Sequence, residues 1–173
     1  MTLIVRHHSA SGTTSSAVYS PCERYRYALT RTWGDGPRLT YVMLNPSKAT
    51  EMANDPTVAR CERRARLNGF GAMRVCNLFA WRETDPARLK KRRWPDGPDN
   101  AAQIAEAAEW AEVVLCAWGV HGAHRDAGPR MVQTLADRPL HALGVTKDGH
   151  PRHPLYCAFA TEISPWAGYP DSL

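Results

Sequence analysis

One segment indicates the fold: Leu39-Thr40-Tyr41-Val42-Met43-Leu44-Asn45-Pro46-Ser47, an apolar run of strand type that stops at a polar triplet. Lys48 follows, and Asn54-Asp55-Pro56 then carries a helix-start signal. In an α/β protein, ligands bind at the carboxyl ends of parallel strands. Proline fixes the turn and removes a backbone donor, whereas Asn and Ser offer short hydrogen-bonding side chains. The segment therefore predicts a strand end that holds something small, a water or a phosphate.

Strands and helices alternate on both sides of this segment. The Asp55-Pro56 helix is expected to run to about Asn68 and to stop at Gly69, with proline early and glycine late. Such alternation predicts parallel βαβ units, and hence a three-layer α/β/α domain with a central, mostly parallel four-stranded sheet. This domain is expected over residues 21–173, after a flexible N-terminal tail of residues 1–20. Four expected strands, 39–44, 73–79, 112–118 and 140–143, alternate with helices, and a further strand, 24–33, precedes the first of them across the turn 34–37. Further helices start near Asp85-Pro86, Asp99 or Asn100, and Pro129.

Composition narrows the class of protein. A chain of 173 residues that is 43% apolar suits one domain with a sizeable core. Its longest apolar stretches fall short of the roughly 20 residues that a membrane span needs, and its N-terminus lacks the apolar region of a secretory signal. The five cysteines are widely spaced and form no C-x-x-C pair, which favours free thiols in a reducing cytoplasm. We expect a cytoplasmic protein without a metal or other cofactor, and a monomer is favoured.

Basic residues exceed acidic ones by five, and they are unevenly spread. One block ends in an aromatic residue and consists of Lys90, Lys91, Arg92, Arg93 and Trp94. A basic loop beside a Trp can follow a phosphate backbone and stack on a base, which predicts DNA, single- or double-stranded, as a partner. The alternative is that the block is a solvated surface.

Polar residues follow the expected strands in a repeated pattern. Asn45 and Asn77 close two strands, the segment 119–122 follows a third, and a loop with His150 and His153 follows a fourth. If these strands are parallel, the polar residues gather at one edge of the sheet. Histidines also suggest a metal site, and a metal-dependent phosphoesterase is a weaker alternative, because no carboxylate has ligand spacing beside them. The histidines concerned are His121, His124, His150 and His153.

These motifs resemble the uracil-DNA glycosylase superfamily, through a bacterial family of unknown function with the same motif layout. Leu44-Asn45-Pro46-Ser47 is similar to the superfamily's first motif, Gly-x-Asn/Asp/Ala-Pro, and Val75-Cys76-Asn77-Leu78 to the strand whose terminal Asn reads the flipped base. The segment 112–119 resembles the apolar strand that ends in glycine. His153-Pro154-Leu155, or else His150-Pro151-Arg152, is similar to the His-Pro-Ser-type second motif. The resemblance spans residues 41–156 in the same order.

The resemblance implies a uracil-DNA glycosylase-like fold and hydrolysis of an N-glycosidic bond, with two departures. Met43-Leu44 stands where the superfamily usually has a glycine next to the catalytic position, a difference that could narrow or reshape the pocket. Ser47 stands where a Tyr or Gly shields the uracil C5 position, so the base specificity is open. The cysteines that some branches use for an iron–sulfur cluster are absent.

The chemistry of base release assigns roles to these residues. Cleavage passes through an oxocarbenium-like sugar and a departing anionic base. Asn45 and His153 are the expected catalytic residues: the Asn45 amide oxygen orients a water, and His153 donates a hydrogen bond to the base carbonyl. The side chain of Asn77 has a donor and an acceptor that can pair with the base edge, and Phe79 or Trp81 can stack on the base. Ser47 and His150 complete the expected base-binding set; the expected phosphate contacts are Lys48, Arg152 and the basic block, with Ser47 as a further candidate.

Two classes of function remain open. The first is a DNA glycosylase-like N-glycosidase that acts on a base in DNA, for repair or for removal of modified bases. The second is a nucleic-acid or nucleotide binding module that keeps the pocket and lacks catalysis. They differ in whether Asn45, Asn77 and His153 converge on one pocket that is wide enough for a base.

Overall fold

The computed structural model describes residues 2–171, which contain one eight-stranded sheet with the strand order β1-β2-β3-β5-β4-β6-β7-β8. Four neighbouring pairs are antiparallel (β1-β2, β2-β3, β3-β5 and β7-β8), and three are parallel (β5-β4, β4-β6 and β6-β7). The predicted four-stranded, mostly parallel sheet is therefore wrong, because antiparallel strands extend the sheet on both sides. The strands are β1 (Ile4–Ala10), β2 (Thr13–Tyr19), β3 (Arg26–Thr32), β4 (Arg38–Met43), β5 (Ala72–Asn77), β6 (Val113–Cys116), β7 (Leu140–Ala142) and β8 (Ser164–Trp166).

Residues 4–19 form a β hairpin instead of the expected flexible tail. Every residue of β1 is paired with one of β2, and β2 continues onto β3. Ser15, Ala17 and Tyr19 alternate as buried residues along β2, so this Ser/Thr-rich stretch has one inward face. Ser11 and Gly12 connect the strands with φ angles of 53° and 78°, the positive values that a tight two-residue hairpin turn requires.

Helices lie on both faces of the sheet: α1 (Pro56–Leu67), α2 (Pro86–Lys90), α3 (Asn100–Trp110) and α4 (Ala127–Thr134). The predicted bounds of α1 are confirmed: Asp55 Oδ1 accepts a hydrogen bond from the Val58 amide at 2.8 Å, and Gly69 follows the helix with φ +79°. Cys61 and Ala65 of α1 pack on one face of the sheet, and Ile104 and Ala107 of α3 pack on the other. Among residues 2–171, no helix has the length and apolar character to cross a membrane.

The parallel strands bring the polar strand ends to one edge of the sheet. Met43, the last residue of β4, is in register with Asn77, the last residue of β5, and Val42 is in register with Cys116 at the end of β6. The strands that precede Asn45, Asn77 and Gly119 therefore end side by side, as predicted. We call this edge of the sheet the carboxyl edge.

Candidate functional site

A cavity of about 650 Å³ opens at the carboxyl edge. Its wall combines the turn after β4, the residues after β6 and the loop that leads to a short 3₁₀ helix (Pro154–Tyr156). A cavity of this size is typical of sites for small molecules. The predicted site residues that line it are Asn45, Ser47, Arg152 and His153.

Asn45 is half-buried, and its amide orientation is fixed by the surrounding backbone. Its Nδ2 donates to the carbonyl oxygens of Glu83, at 2.5 Å, and Pro46, at 3.1 Å. The Glu83 amide donates back to the Pro46 carbonyl at 2.9 Å, which ties the two turns together. Within residues 2–171, Oδ1 of Asn45 has no hydrogen-bond partner. An oriented acceptor with no protein partner is suited to holding a water molecule.

His153 also lines the cavity, and its imidazole is held in one tautomer. Its Nδ1 accepts a hydrogen bond from the Leu155 amide at 3.3 Å, so the ring caps the short 3₁₀ helix and the proton is on Nε2. Burial lowers the pKa of His153 to about 4, although the Asp55 carboxylate acts to raise it. The imidazole is therefore neutral at pH 7 and presents an N–H donor. Gly119 lies beside it with φ +74°, a backbone conformation that favours glycine, and a Cβ there would be in ordinary van der Waals contact with the His153 Cβ at 3.4 Å.

His150, the alternative to His153, lies outside the cavity. Its ring is buried, and Nδ1 is 2.9 Å from the Tyr169 hydroxyl. That hydroxyl accepts a hydrogen bond from the Trp118 indole nitrogen at 2.8 Å, so its own proton is available to His150. His150 thus belongs to a structural network behind the cavity wall, and only His153 of the two histidines lines the cavity.

Asn77 and Phe79, which were expected to bind the base, do not reach the cavity surface. The Asn77 residue is 1% exposed, and neither Oδ1 nor Nδ2 has a hydrogen-bond partner among the described residues. Phe79 is fully buried in the core cluster on the α3 face and packs near the ring of His124, 5.7 Å between centroids. Because side chains alternate across a strand, the sequence pattern alone did not fix which of them would face the ligand.

The expected phosphate contacts form two groups. Arg152 is exposed, lines the cavity and donates from Nε to the Val145 carbonyl at 3.1 Å. Lys48 is exposed but does not line the cavity. The basic block is exposed throughout and begins with Lys90, the last residue of α2, whose first residue, Pro86, lines the cavity. Burial, and to a smaller extent the charge of Lys90, lower the pKa of the lining residue His121.

The basic block is held in place by Arg125. Its guanidinium donates to the carbonyl oxygens of Arg92 and Arg93 at 2.8 and 3.2 Å. The Arg93 guanidinium lies 5.3 Å from the ring centre of Trp94, and Trp94 is 69% exposed. Cations beside an exposed aromatic ring form a surface that can contact phosphates and stack on a base.

Sequence reasoning missed the roles of Arg26 and Asp55 as residues that line the cavity, whereas Lys147, a candidate phosphate contact in the 146–149 turn, lines it as well. Asp55 was recognised only as a helix cap, and it also accepts from the Ala49 amide at 3.3 Å. Arg26 belongs to a strand in which polar and apolar residues alternate. The signal that could have identified it is a charged residue within a stretch that is otherwise buried. The metal alternative gains no support, since the described residues contain no group of three His, Cys, Asp or Glu side chains that could hold a metal ion.

Residues 26–155 match a family described as a protein of unknown function, DUF1643. The chain belongs to the DUF1643 family. No curated protein matches the chain, and no solved structure matches it. The DUF1643 region contains the carboxyl edge with Asn45 and His153, whereas β1 and β2 precede it. Because the family description names no activity, the resemblance to the uracil-DNA glycosylase superfamily stays a prediction.

Proposed function

We propose that this DUF1643 protein is a DNA glycosylase-like N-glycosidase that binds a flipped base and hydrolyses its N-glycosidic bond. One observation carries the proposal: an oriented Asn45 carbonyl oxygen and a neutral His153 N–H line the same cavity at the carboxyl edge. The volume of about 650 Å³ is sufficient for a nucleoside. The sequence resemblance to the uracil-DNA glycosylase superfamily supports the same conclusion.

The two side chains match the two charges that develop during the reaction. As the bond between C1′ and the base nitrogen breaks, its electron pair stays on the base and the sugar becomes cation-like. Asn45 Oδ1 holds a water whose oxygen bonds to C1′. One proton of that water stays on the new sugar hydroxyl, and the other ends on the base. His153 Nε2–H donates to a base carbonyl as negative charge builds there, which is an electrostatic contribution of about 3 kcal/mol for a single donor.

Cations outside the cavity suit the phosphates that flank a flipped nucleotide. Lys147 and Arg152 are exposed at the cavity wall, and the basic block with Trp94 extends the positive surface beyond α2. Phosphate contacts position a nucleic acid without reading its sequence. In this arrangement the base enters the cavity and the backbone stays outside.

A non-catalytic nucleic-acid or nucleotide binding module is the second candidate, and the position of Asn77 favours it. Asn77, expected to read the base edge, is buried away from the cavity surface. A module that binds a base without releasing it needs the cavity and the basic surface, but not the water at Asn45.

Oligonucleotides that carry uracil, hypoxanthine or an alkylated base, single-stranded and duplex, test the proposal. Purified protein should produce abasic sites on at least one of them, and Asn45→Ala and His153→Asn should each abolish most of this activity. His150→Asn is the matched control, because its ring lies outside the cavity. Binding of these oligonucleotides without any abasic product would reject the enzyme and leave the binding module.

A further inference from the structure

Several large apolar side chains at the cavity wall are exposed to solvent. Val120, Leu155 and Tyr156 line the cavity, and Val145 directly precedes the lining residue Thr146. We call the four exposed valine, leucine and tyrosine side chains the mouth of the cavity. Tyr156 is 81% exposed. Single exposed apolar residues are ordinary on a protein surface, whereas a cluster beside a cavity marks a contact site. The mouth is therefore a candidate binding surface.

The exposed ring of Tyr156 stands on an anchored backbone. Arg60 of α1 donates to the carbonyl oxygens of Pro154 and Cys157, at 3.0 and 2.6 Å, and so holds the short 3₁₀ helix at both ends. The Tyr156 amide donates to the His153 carbonyl at 3.1 Å, and the rings of these two residues are tilted against each other with 5.9 Å between their centroids. The tyrosine ring is therefore presented to solvent beside the proposed catalytic histidine.

A second exposed aromatic ring, that of Trp94, is joined to the same wall. The Tyr25 hydroxyl donates to the Trp94 carbonyl at 2.7 Å. The Trp81 amide donates to the Pro95 carbonyl at 3.0 Å, and Glu83, two residues later, lines the cavity. Two residues span at most roughly 7 Å of chain. The segment that carries Trp94 is therefore fixed close to the cavity.

Trp94 differs from its neighbour Trp81 in the accessibility of its ring. Trp81 is half-buried, with the Arg92 guanidinium 4.5 Å from its ring centre and the edge of the Tyr25 ring packed against it. Trp94 has the Arg93 guanidinium beside it and stays largely in solvent. The Trp94 ring is thus open to a flat ligand, with a cation in place for an attached phosphate.

The cations around the two exposed rings have no carboxylate partner within residues 2–171, where none of them takes part in an ion pair. All of them are exposed: Lys90, Lys91, Arg92, Arg93, Lys147 and Arg152. Unpaired cations on a surface attract a polyanion. A strand of nucleic acid supplies the complementary charge through its phosphates, and its bases supply flat faces for the two aromatic rings.

We propose that Tyr156 and Trp94 stack on unpaired bases of a single DNA strand that passes the mouth of the cavity, and that the protein prefers single strands to duplexes. An aromatic ring stacks on a base only where a face of that base is open, and in a duplex the neighbouring base pairs cover both faces. Every base has such a face, so this surface binds without reading sequence. The choice of DNA rests on the proposed function, whereas the stacking requires no hydrolysis.

Fluorescence anisotropy of the intact chain with two labelled DNAs tests the strand preference apart from hydrolysis. The probes are an oligothymidylate of about 15 nucleotides and a fully paired hairpin with the same number of phosphates. The wild type should bind the oligothymidylate more tightly. Tyr156→Ala and Trp94→Ala should each weaken that binding roughly 5- to 150-fold, the value of one stacked base, and leave the hairpin affinity unchanged. Equal affinities for the two DNAs would overturn the proposal, and so would unchanged binding by the alanine variants.

Tyr156→Phe and Trp94→Phe keep a ring that stacks, so they should retain most of the affinity for oligothymidylate; a loss as large as that of the alanine variants would overturn the stacking role. Leu67→Ala is the matched control, because Leu67 is 62% exposed and apolar and lies outside the cavity wall. Thermal unfolding of each variant identifies loss of fold.

Three outcomes separate this proposal from the proposed function. Stacking-dependent binding without abasic product from any lesion would support the surface and reject hydrolysis. Abasic product formed on duplexes as fast as on single strands would support hydrolysis and overturn the strand preference. Binding of oligouridylate without binding of oligothymidylate would overturn the choice of DNA.

Discussion

Acid should destabilise this protein through His153. The ordinary histidine pKa is 6.5, and in the folded chain burial lowers the pKa of His153 to about 4. Between these two values the unfolded chain binds more protons than the folded chain, so the free energy of unfolding falls as the pH falls. The contribution is complete above pH 6.5 and lost below pH 4. At 1.36 kcal/mol for each pKa unit, it amounts to at most about 3 kcal/mol.

Urea denaturation between about pH 8 and about pH 4 measures this effect when the wild type is compared with His153→Asn. Asn also caps helices well, so the variant keeps an acceptor for the Leu155 amide and loses only the titrating ring. Its free energy of unfolding should fall less than that of the wild type across this range, by about 3 kcal/mol at most. His7→Asn, a change on the exposed side of β1, is the control and should follow the wild type. If His153→Asn and the wild type lose stability in parallel, the imidazole is not held neutral and the proposed donor role fails.

Three further outcomes are expected. Asn45→Ala should slow base release by about 100-fold, because the water loses its orienting acceptor; single-turnover kinetics on the best oligonucleotide would contradict this if the rate stays within a few-fold. Replacing Lys90–Arg93 with Gln should weaken DNA binding and reduce the salt dependence of log K by about 0.9 for each phosphate that the block no longer neutralises; an unchanged slope in fluorescence anisotropy would mean that the block is only a solvated surface. Tyr169→Phe should lower the free energy of unfolding by about 1–3 kcal/mol, because the Trp118 indole N–H loses its acceptor, with little change in the rate of base release; a lost activity in a stable variant would mean that the Trp118–Tyr169–His150 network acts on the site.

The parts of the fold that could be predicted are those with local signals. Asp55-Pro56 and Gly69 delimit α1 because capping and positive φ are decided within a few residues. The strand–turn–helix order around Asn45 was predicted for the same reason. The N-terminal hairpin was missed, because β2 consists largely of Ser, Thr and Ala and its inward face becomes apolar only toward Tyr19.

Local sequence signals could not predict the order of the strands in the sheet. β3 and β4 are consecutive in the chain with a turn between them, yet β5 pairs with both and separates them. Pairing between distant strands depends on which arrangement buries both faces of the sheet, and no short segment encodes that choice. The same long-range pairing decides which face of the sheet each side chain occupies. For this reason Arg26 lines the cavity, whereas Asn77 and Phe79 do not.

Local sequence was enough to specify which residues stand at the carboxyl edge. Asn45, Gly119 and His153 follow apolar strand-type segments or a turn-rich loop. The end of a strand-type segment can be recognised from the residues immediately around it. Only the tertiary structure decided which of these residues share a cavity and which tautomer His153 adopts. It also decided that Nε of the Arg26 guanidinium is buried without a partner. Burial and hydrogen-bond partners govern these properties, and both depend on parts of the chain that meet only after folding.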